Sequence, residues 1–408
     1  MDVGISRVNR YVPWLTLPHA VWARAWGERA KEGVTSRAVA NFDEDALTMA
    51  VDAASPIADG ARAIFLASTS APLIEGSPAA RVAGALGLDE VHTVDFGGSQ
   101  RAAGDAAILA VDAVRAGRGP IVVVASDTRI AEPGSRFEPT WNDGALAFRV
   151  EANAGIAARV VAMASVSDPV AVAWRADGER FVTSDESRAG SDALKSATQA
   201  ALKLAGVGSV KTIGWTELPA WLARAERGET VAAVATGDGA TVVVLESVKP
   251  LPLSALRSPK PLTDYNDYAR RRGLIGTALV GPVVSSVLER QEAASLISLA
   301  GGRCRSCGQT QYPRSVRCVK CHALATQDAA RVAREGRVFT YTVDSLFDGW
   351  EKETVMAVVD LDDGARVYVQ ITDVTPSEVA VGLRVRLTYR RLHHADGKPL
   401  YYWKARPE

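Results

Sequence analysis

Cysteine is scarce in this chain, and its few copies are confined to one place. The 408 residues contain four cysteines, and all of them lie between positions 304 and 321. A cysteine thiolate is a strong nucleophile toward acyl thioesters. The rest of the chain therefore has no thiol for that chemistry.

Other absences narrow the classes of function. Lys and Arg together number 47, as do Asp and Glu, so the chain has no net charge with which to attract nucleic acid or an anionic membrane broadly. No apolar run is long enough to span a bilayer. The first residues lack the basic and apolar regions of a signal peptide. We therefore expect a cytoplasmic protein that binds neither nucleic acid nor membrane.

The four cysteines form two Cys-x-x-Cys pairs, Cys304/Cys307 and Cys318/Cys321, separated by ten residues. Four thiolates in two such pairs are typical of a closed tetrahedral zinc site, which is structural because no coordination position stays open. Two disulfides or a redox pair are the alternatives, and a reducing cytoplasm disfavours disulfides. Gly308 directly follows the first pair, where a tight turn favours glycine.

Residues 1–248 alternate strand-like and helix-like segments. Separated apolar strands buried on both faces indicate a layered α/β fold. We expect strands at 63–67, 120–125, 145–150, 157–164 and on both sides of 237–239, and helices at 77–86, 98–114 and 191–204. Ser77 is the expected N-cap of the first of these helices, with Pro78 at its first position.

The remainder of the chain divides into three parts. Residues 249–298 are a proline-rich joint and a helical connector, because prolines at 250, 252, 259 and 261 interrupt regular structure. Residues 299–326 hold the cysteines and are the expected zinc ribbon. Residues 327–408 contain short strand-like segments that predict a small closed barrel: 336–343, 355–361, 365–371, 384–389 and 400–404.

The C-terminal third resembles an acyl-CoA-associated family that joins a rubredoxin-like zinc ribbon to an OB-fold. The matching features are the four cysteines, Tyr312-Pro313-Arg314 between the pairs, the strand at 336–343 and the segment 381–386. The resemblance implies a module that bridges a thiolase and a synthase and helps to hold a CoA thioester.

The N-terminal part resembles hydroxymethylglutaryl-CoA synthase of the thiolase superfamily. The clearest match is AVANFDEDALTMAV at 38–51, with further matches at 66–70, 94–96, 125–128, 228–230 and 265–275. The resemblance implies a thiolase-like layered fold and a homodimer. Between residues 211 and 228 the chain is too short for the helix and strand that the family has there, so we expect a shortened second half.

The chain departs from that family at the catalytic positions. Thr69 stands where the family has a glutamate, Ser99 or Gln100 stands where it has the cysteine, and no histidine matches. A serine nucleophile at Ser99 would need a base, and a glutamine like Gln100 supports decarboxylation in related ketosynthases. The main hypothesis is a degenerate, non-catalytic domain, which makes the chain an accessory subunit of an acyl-CoA thiolase complex. The alternative is an acyl-CoA enzyme that forms or cleaves C–C bonds.

The resemblance also implies partners. We expect a separate thiolase subunit to supply the catalytic residues, and a homodimer of this chain within a hetero-oligomer. Gly237, Gly239, Arg270 and Arg271 are candidate contacts to the CoA thioester, although glycine turns and solvated arginines are equally common without a ligand. A zinc ribbon with an OB-fold can also bind nucleic acid, which the neutral charge balance does not favour.

Overall fold

The computed structural model describes residues 2–29, 36–153, 155–171, 173–184, 188–276, 281, 285–324, 327–346, 351 and 353–408. They form two compact units. The first unit is Met1–Asn41, Asp45–Ala83 and Glu90–Tyr268, and the second is Phe42–Glu44, Gly84–Asp89 and Ala269–Glu408. Part of the predicted helical connector, at 277–280 and 282–284, lies outside the described residues. The four-part division predicted from the sequence stays a prediction.

The first unit contains fourteen of the described strands. They are β1 (Val3–Tyr11), β2 (Leu15–Pro18), β3 (Ser36–Val39), β4 (Ala63–Ala67), β5 (His92–Phe96), β6 (Ile121–Asp127), β7 (Gly144–Ala152), β8 (Ala158–Ser167), β9 (Ala173–Trp174), β10 (Thr183–Ser184), β11 (Thr212–Gly214), β12 (Thr230–Gly237), β13 (Gly239–Ser247) and β14 (Lys260–Pro261).

Its described helices are α1 (His19–Trp26), α2 (Ala46–Ala54), α3 (Pro78–Ala85), α4 (Ala102–Arg115), α5 (Arg188–Leu204), α6 (Leu218–Arg224) and α7 (Tyr265–Arg271), which continues into the second unit. The predicted helix at 77–86 is confirmed as α3, and Ser77 Oγ accepts a hydrogen bond from the Ala80 amide at 3.1 Å. The helix predicted at 98–114 begins later, at Ala102. Gly98 takes a φ of +77° there, and the residues between form a turn.

One nine-stranded sheet organises the first unit, in the order β11-β12-β13-β8-β1-β7-β6-β4-β5. The sheet divides between the neighbouring strands β1 and β8. In the described chain, the half that begins with β1 has five strands and the half that begins with β8 has four. The first half places α3, β5 and α4 between β4 and β6, whereas one 3-10 turn (Trp215–Glu217) and the short α6 join β11 to β12. The predicted shortening of the second half is therefore visible in the sheet.

Two tryptophans fill space beside the short half of the sheet. Trp215 stacks on Phe148 at 5.0 Å between ring centroids, and Trp221 on α6 is buried. Both belong to the same apolar cluster as the alanine-rich helix α4. Large aromatic side chains supply the buried area that one short helix otherwise lacks.

The second unit contains a ribbon and a barrel. Its further elements are α8 (Ser286–Gln291), α9 (Ala293–Leu296), β15 (Ala300–Cys304), β16 (Thr310–Gln311), β17 (Gln327–Arg331), β18 (Glu335–Asp344), β19 (Thr354–Leu361), β20 (Arg366–Ile371), β21 (Arg384–Ala395) and β22 (Lys398–Pro407). The ribbon strands are ordered β16-β15-β17, and β18-β19-β20-β22-β21 close into a barrel. The predicted small barrel is confirmed, with β21 and β22 longer than expected.

A buried ionic cluster stabilises the second unit. The Arg390 guanidinium lies 2.7 Å from Glu44, 2.6 Å from Asp373 and 3.4 Å from Asp43. Lys404 Nζ lies 2.8 Å from the other oxygen of Asp43. Burial tends to raise the pKa of Asp43, but Lys404 and Arg390 outweigh it and lower the pKa to about 2. The residues 42–44 are thus held in this unit by paired charges.

In the described part of the chain, no helix is both long and apolar enough to cross a lipid bilayer.

Candidate functional site

Three parallel strands of the first unit end at the same edge of its sheet. β5, β4 and β6 are neighbours, and β4 is parallel to both of the others. Segment 97–100 follows β5, segment 68–70 follows β4, and segment 128–129 follows β6. The Ser68 amide donates to the Phe96 carbonyl at 2.9 Å. Ligands of open α/β sheets bind beyond the carboxyl ends of the strands. This edge, called the carboxyl edge below, is therefore the candidate site.

Asp127 connects β6 to the segment after β4 by accepting several hydrogen bonds at the carboxyl edge. Its Oδ1 accepts hydrogen bonds from the hydroxyls of Ser68 at 3.2 Å, Thr69 at 3.1 Å and Ser70 at 2.7 Å, and from the Thr69 amide at 2.8 Å. Ser70 Oγ in turn accepts from the Thr128 amide at 2.7 Å. Thr69, which the sequence resemblance predicts at the position of the family's glutamate, is thus a hydrogen-bond donor that orients Asp127.

Ser99 and Gln100 lie in the turn between β5 and α4. Ser99 Oγ accepts hydrogen bonds from the amides of Arg101 at 3.4 Å and Asp238 at 3.5 Å. No carboxylate or imidazole of the described chain accepts a hydrogen bond from this hydroxyl, and Gln100 is exposed. A serine without a base is a weak nucleophile.

Gly237 and Gly239, the predicted CoA contacts of the first unit, form the turn between β12 and β13. A Cβ at Gly237 would lie 2.5 Å from Ser99 Oγ, and a Cβ at Gly239 would lie 1.9 Å from the Val166 carbonyl oxygen. Both positions therefore need glycine for close packing. The structure brings Gly237 beside Ser99, which the sequence did not predict.

Arg270 and Arg271, the other predicted CoA contacts, belong to the second unit. Arg271 lies 3.4 Å from the Glu351 carboxylate, so its charge is already paired. The four predicted CoA contacts are thus divided between the two units.

Neither histidine of the first unit lies beside Ser99. His19 begins α1 and packs on Trp22, with ring centroids 5.3 Å apart. His92 begins β5 and contacts Phe65. A five-residue strand spans roughly 13 Å, so His92 lies at the opposite end of β5 from the turn that holds Ser99.

A cavity of about 530 Å³ opens beside Asp127. Arg10 near the end of β1, Arg129 after β6, and the rings of Trp141 and Trp215 line it. The Arg129 guanidinium lies 4.2 Å above the centroid of the Trp141 ring. Sequence reasoning missed this cavity because its lining comes from five segments that are distant from one another along the chain.

The four cysteines converge in the second unit. Their sulfurs lie within 4.8 Å of one another, with Cys304–Cys321 and Cys307–Cys318 each 3.7 Å apart. All four are free thiols rather than disulfides. Zn–S bonds of about 2.3 Å in a tetrahedron place sulfurs about 3.8 Å apart. The residues present therefore fit one zinc ion with no open position.

Each cysteine pair is closed by the same backbone turn. The Gly308 amide donates to the Cys304 carbonyl at 2.9 Å, and the His322 amide donates to the Cys318 carbonyl at 3.0 Å. The turn residues have φ of +75° and +61°. The tight turn predicted at Gly308 is confirmed, and His322 adopts the same left-handed conformation in the second pair.

Backbone amides also favour a thiolate in this cluster. Hydrogen bonds from the amides of Cys321 and Lys320 lower the pKa of the Cys318 thiol. A thiolate is the form that coordinates zinc.

Two family models match the second unit. The model described as "ChsH2, rubredoxin-like zinc ribbon domain" matches residues 292–326, and "ChsH2, C-terminal OB-fold domain" matches residues 329–390. The zinc ribbon and OB-fold expected from the sequence are confirmed.

Curated relatives show the family of this region. A DUF35 domain-containing scaffold protein of Methanocaldococcus jannaschii is 32% identical over 114 residues, which are 27% of this chain and 81% of that protein. The chain belongs to the DUF35-domain family. The corresponding protein of Pyrococcus furiosus is also 32% identical over 114 residues, covering 82% of its length.

The other resemblance is to synthases. Hydroxymethylglutaryl-CoA synthase of Aeropyrum pernix is 34% identical over 170 residues, which are 38% of this chain and 47% of that enzyme. The chain thus spans about half the length of this relative.

Solved structures confirm the thiolase-like α/β fold. MvaS in complex with 3-hydroxy-3-methylglutaryl coenzyme A aligns with a TM-score of 0.59 at 15% identity, over 70% of this chain and 94% of that one. FabH from Pseudomonas aeruginosa aligns with a TM-score of 0.53 at 16% identity, over 62% of this chain and all of that one. The fold class is therefore a thiolase-like domain joined to a DUF35-type ribbon and barrel.

Proposed function

We propose that this chain is a non-catalytic accessory subunit of an acyl-CoA thiolase-type complex. Its DUF35-type region bridges to a separate thiolase and helps to hold the CoA thioester. The relatives of that region are described as scaffold proteins, and the synthase-like region supplies the second half of the bridge.

The carboxyl edge is the observation that carries this proposal. Thioester attack needs a nucleophile and a base in contact. At this edge Ser99 accepts amide hydrogen bonds, Thr69 and Ser70 donate to Asp127, and both histidines of the unit lie on other segments. These hydrogen bonds support a non-catalytic role, because none of the described side chains at this edge pairs a nucleophile with a base.

The cofactor of the second unit is a structural zinc ion. Cys304, Cys307, Cys318 and Cys321 are the proposed ligands, supported by the spacing of their sulfurs and by the match to a zinc ribbon. When bound, zinc would cross-link the two cysteine turns and stabilise the ribbon.

Acyl-CoA is the proposed ligand of the complex. Solved neighbours were determined with CoA or a CoA thioester bound. Gly237 and Gly239 in one unit and Arg270 and Arg271 in the other stay the proposed contacts of this chain. Arginine guanidinium groups suit the phosphates of CoA.

A homodimer within the hetero-oligomer completes the proposal. β5 lies at one end of the nine-stranded sheet, so β4 is its only neighbour among the described strands. An unpaired edge of this kind is a template for pairing with another chain. A second copy would cover it.

Co-purification tests the bridging role. The full chain, tagged at its native locus, is isolated from its own cells, and the bound proteins are identified by mass spectrometry. We expect a thiolase in stoichiometric amount. Isolation of the chain alone, together with a fully active and stable thiolase in cells that lack it, would contradict the bridging role.

One observation favours the alternative, an acyl-CoA enzyme in its own right. Gln100 is exposed directly before α4, where its amide is accessible to a ligand. Malonyl-CoA incubated with the purified chain tests this directly. Release of CO2 that is abolished in Gln100→Ala would favour a decarboxylase, whereas the accessory role predicts no release from either protein.

A further inference from the structure

Two arginines of the cavity beside Asp127 have no protein partner for a buried nitrogen. The Nε atoms of Arg10 and Arg129 are shielded from solvent, and neither makes a hydrogen bond to the described residues. A buried polar group without a partner is costly, and in native proteins it calls for a ligand, water or ion. Both atoms belong to the same cavity wall.

The stacking of Arg129 leaves its donors available. The guanidinium covers the face of Trp141 at 4.2 Å from the ring centroid. Contact through the flat face does not use the N–H groups, which point outward in the guanidinium plane. Burial lowers the pKa of Arg129, although Asp127 opposes this shift.

The charges of the lining favour a ligand with a single negative charge. Asp127 and Asp143 also line the cavity, but Asp143 lies 3.7 Å from Arg37, which is outside the lining. Within the lining, Arg10 and Arg129 then face Asp127, which leaves one positive charge in excess, and Arg175, which is outside the lining, repels Arg129. A dianionic phosphate would carry more negative charge than the net positive charge of the lining can balance.

The remaining lining is largely apolar. Trp141, Trp215, Leu146 and Pro219 border the same space as the two arginines. A volume of about 530 Å³ falls within the range of small-molecule sites. An apolar body of moderate size would therefore fit against these side chains while its charged end meets the guanidinium groups.

We propose that this cavity binds an organic monocarboxylate, with the carboxylate on Arg10 and Arg129 and an apolar body against Trp141 and Trp215. Guanidinium groups pair with carboxylates through short, charge-assisted hydrogen bonds. This site goes beyond the proposed bridging function and holds whether or not a thiolase partner exists.

Calorimetric titration of the full chain with 4-phenylbutyrate tests the site. The uncharged amide of the same acid is the matched ligand, because it keeps the shape and removes the charge. We expect the acid to bind and the amide to bind at least about tenfold more weakly. Arg10→Gln and Arg129→Gln should each weaken binding of the acid by about 10- to 100-fold.

Arg118→Gln is the control variant, because Arg118 is exposed and precedes β6 at the end opposite Asp127. It should bind the acid as the unmodified chain does. Arg10→Gln should also raise the melting temperature of the ligand-free chain, since it removes a guanidinium whose buried Nε has no hydrogen-bond partner. This second readout separates loss of the site from loss of folding.

Several outcomes would overturn the proposal. They are equal binding of acid and amide, unchanged binding in both arginine variants, or no binding of 4-phenylbutyrate or octanoate up to millimolar concentration. Inorganic phosphate is the last probe. It should not displace the acid, and displacement at similar concentration would assign the cavity to phosphate instead.

Discussion

The candidate sites of the two units differ in how fully their polar groups are partnered. In the second unit, three carboxylates lie within 3.4 Å of Arg390, and four sulfurs converge to within 4.8 Å. In the first unit, Arg10 and Arg129 keep buried nitrogens without partners, and no described carboxylate or imidazole accepts a hydrogen bond from Ser99. The first unit has a thiolase-like fold and an open cavity beside Asp127.

Loss of the sulfur cluster should have the largest effect. Cys318→Ser removes a buried ligand from the only such cluster in the described residues. Structural zinc contributes on the order of 10 kcal/mol to folding of small domains, so the ribbon should unfold. The zinc content measured by metal analysis should fall from about one ion per chain to near none.

Ser315→Ala is the control for this variant and should keep its zinc. Full zinc content in Cys318→Ser, or an intact ribbon without metal, would show that the four cysteines are not a zinc site.

Arg390→Met tests the ionic cluster of the second unit. The substitution leaves buried carboxylates without their cation, which costs about 3 to 5 kcal/mol. Urea unfolding should show this loss. The matched control is Arg384→Met, because Arg384 pairs with Asp362 at the surface, where solvent screens the ion pair and its contribution to stability is small. Similar losses of unfolding free energy in both variants would show that the buried cluster contributes no more than a surface ion pair.

The pH dependence of the same cluster should follow Asp43. Its pKa is lowered from 3.8 to about 2 in the folded chain. Its contribution to stability is therefore fully present above pH 4 and is lost as the pH falls toward 2, on the order of 2 kcal/mol. Unfolding free energies between pH 2 and 6 measure it. Asp43→Asn should flatten the curve in that window, and an unchanged slope would contradict the pairing.

Gly237→Ala probes the packing beside Ser99 and should have the smallest effect. The new Cβ would lie 2.5 Å from Ser99 Oγ, and overpacking of this kind costs about 1 to 3 kcal/mol. Ser99→Ala in the same chain should recover part of the loss in thermal unfolding. Additive effects of the two substitutions would show that the two residues do not meet.

The sequence predicted features whose determinants lie close together in the chain. The zinc cluster follows from two pairs within eighteen residues, and helix α3 follows from Ser77 and Pro78 at its start. The barrel strands follow from short strand-like segments with turn signals between them. In each case a few neighbouring residues determine the local geometry.

The features that were missed depend on distant segments. Asp127 meets Ser68 and Ser70 because β6 lies beside β4, and Arg390 meets Asp43 across 347 positions of sequence. The start of α4 was misplaced because Gly98 looked like a helix entry, whereas its positive φ makes a turn. Spacing along the chain carries no signal for such contacts, since strand pairing brings them together.

Turnover by the purified full chain is the most direct test of the accessory role. Thiolase and synthase reactions are measured with acyl-CoA substrates for the chain alone, for its co-purified complex, and for the complex with Ser99→Ala and Gln100→Ala in this chain. The account predicts no turnover by the chain alone and unchanged activity of the substituted complex. Turnover by the chain alone that either substitution abolishes would contradict it.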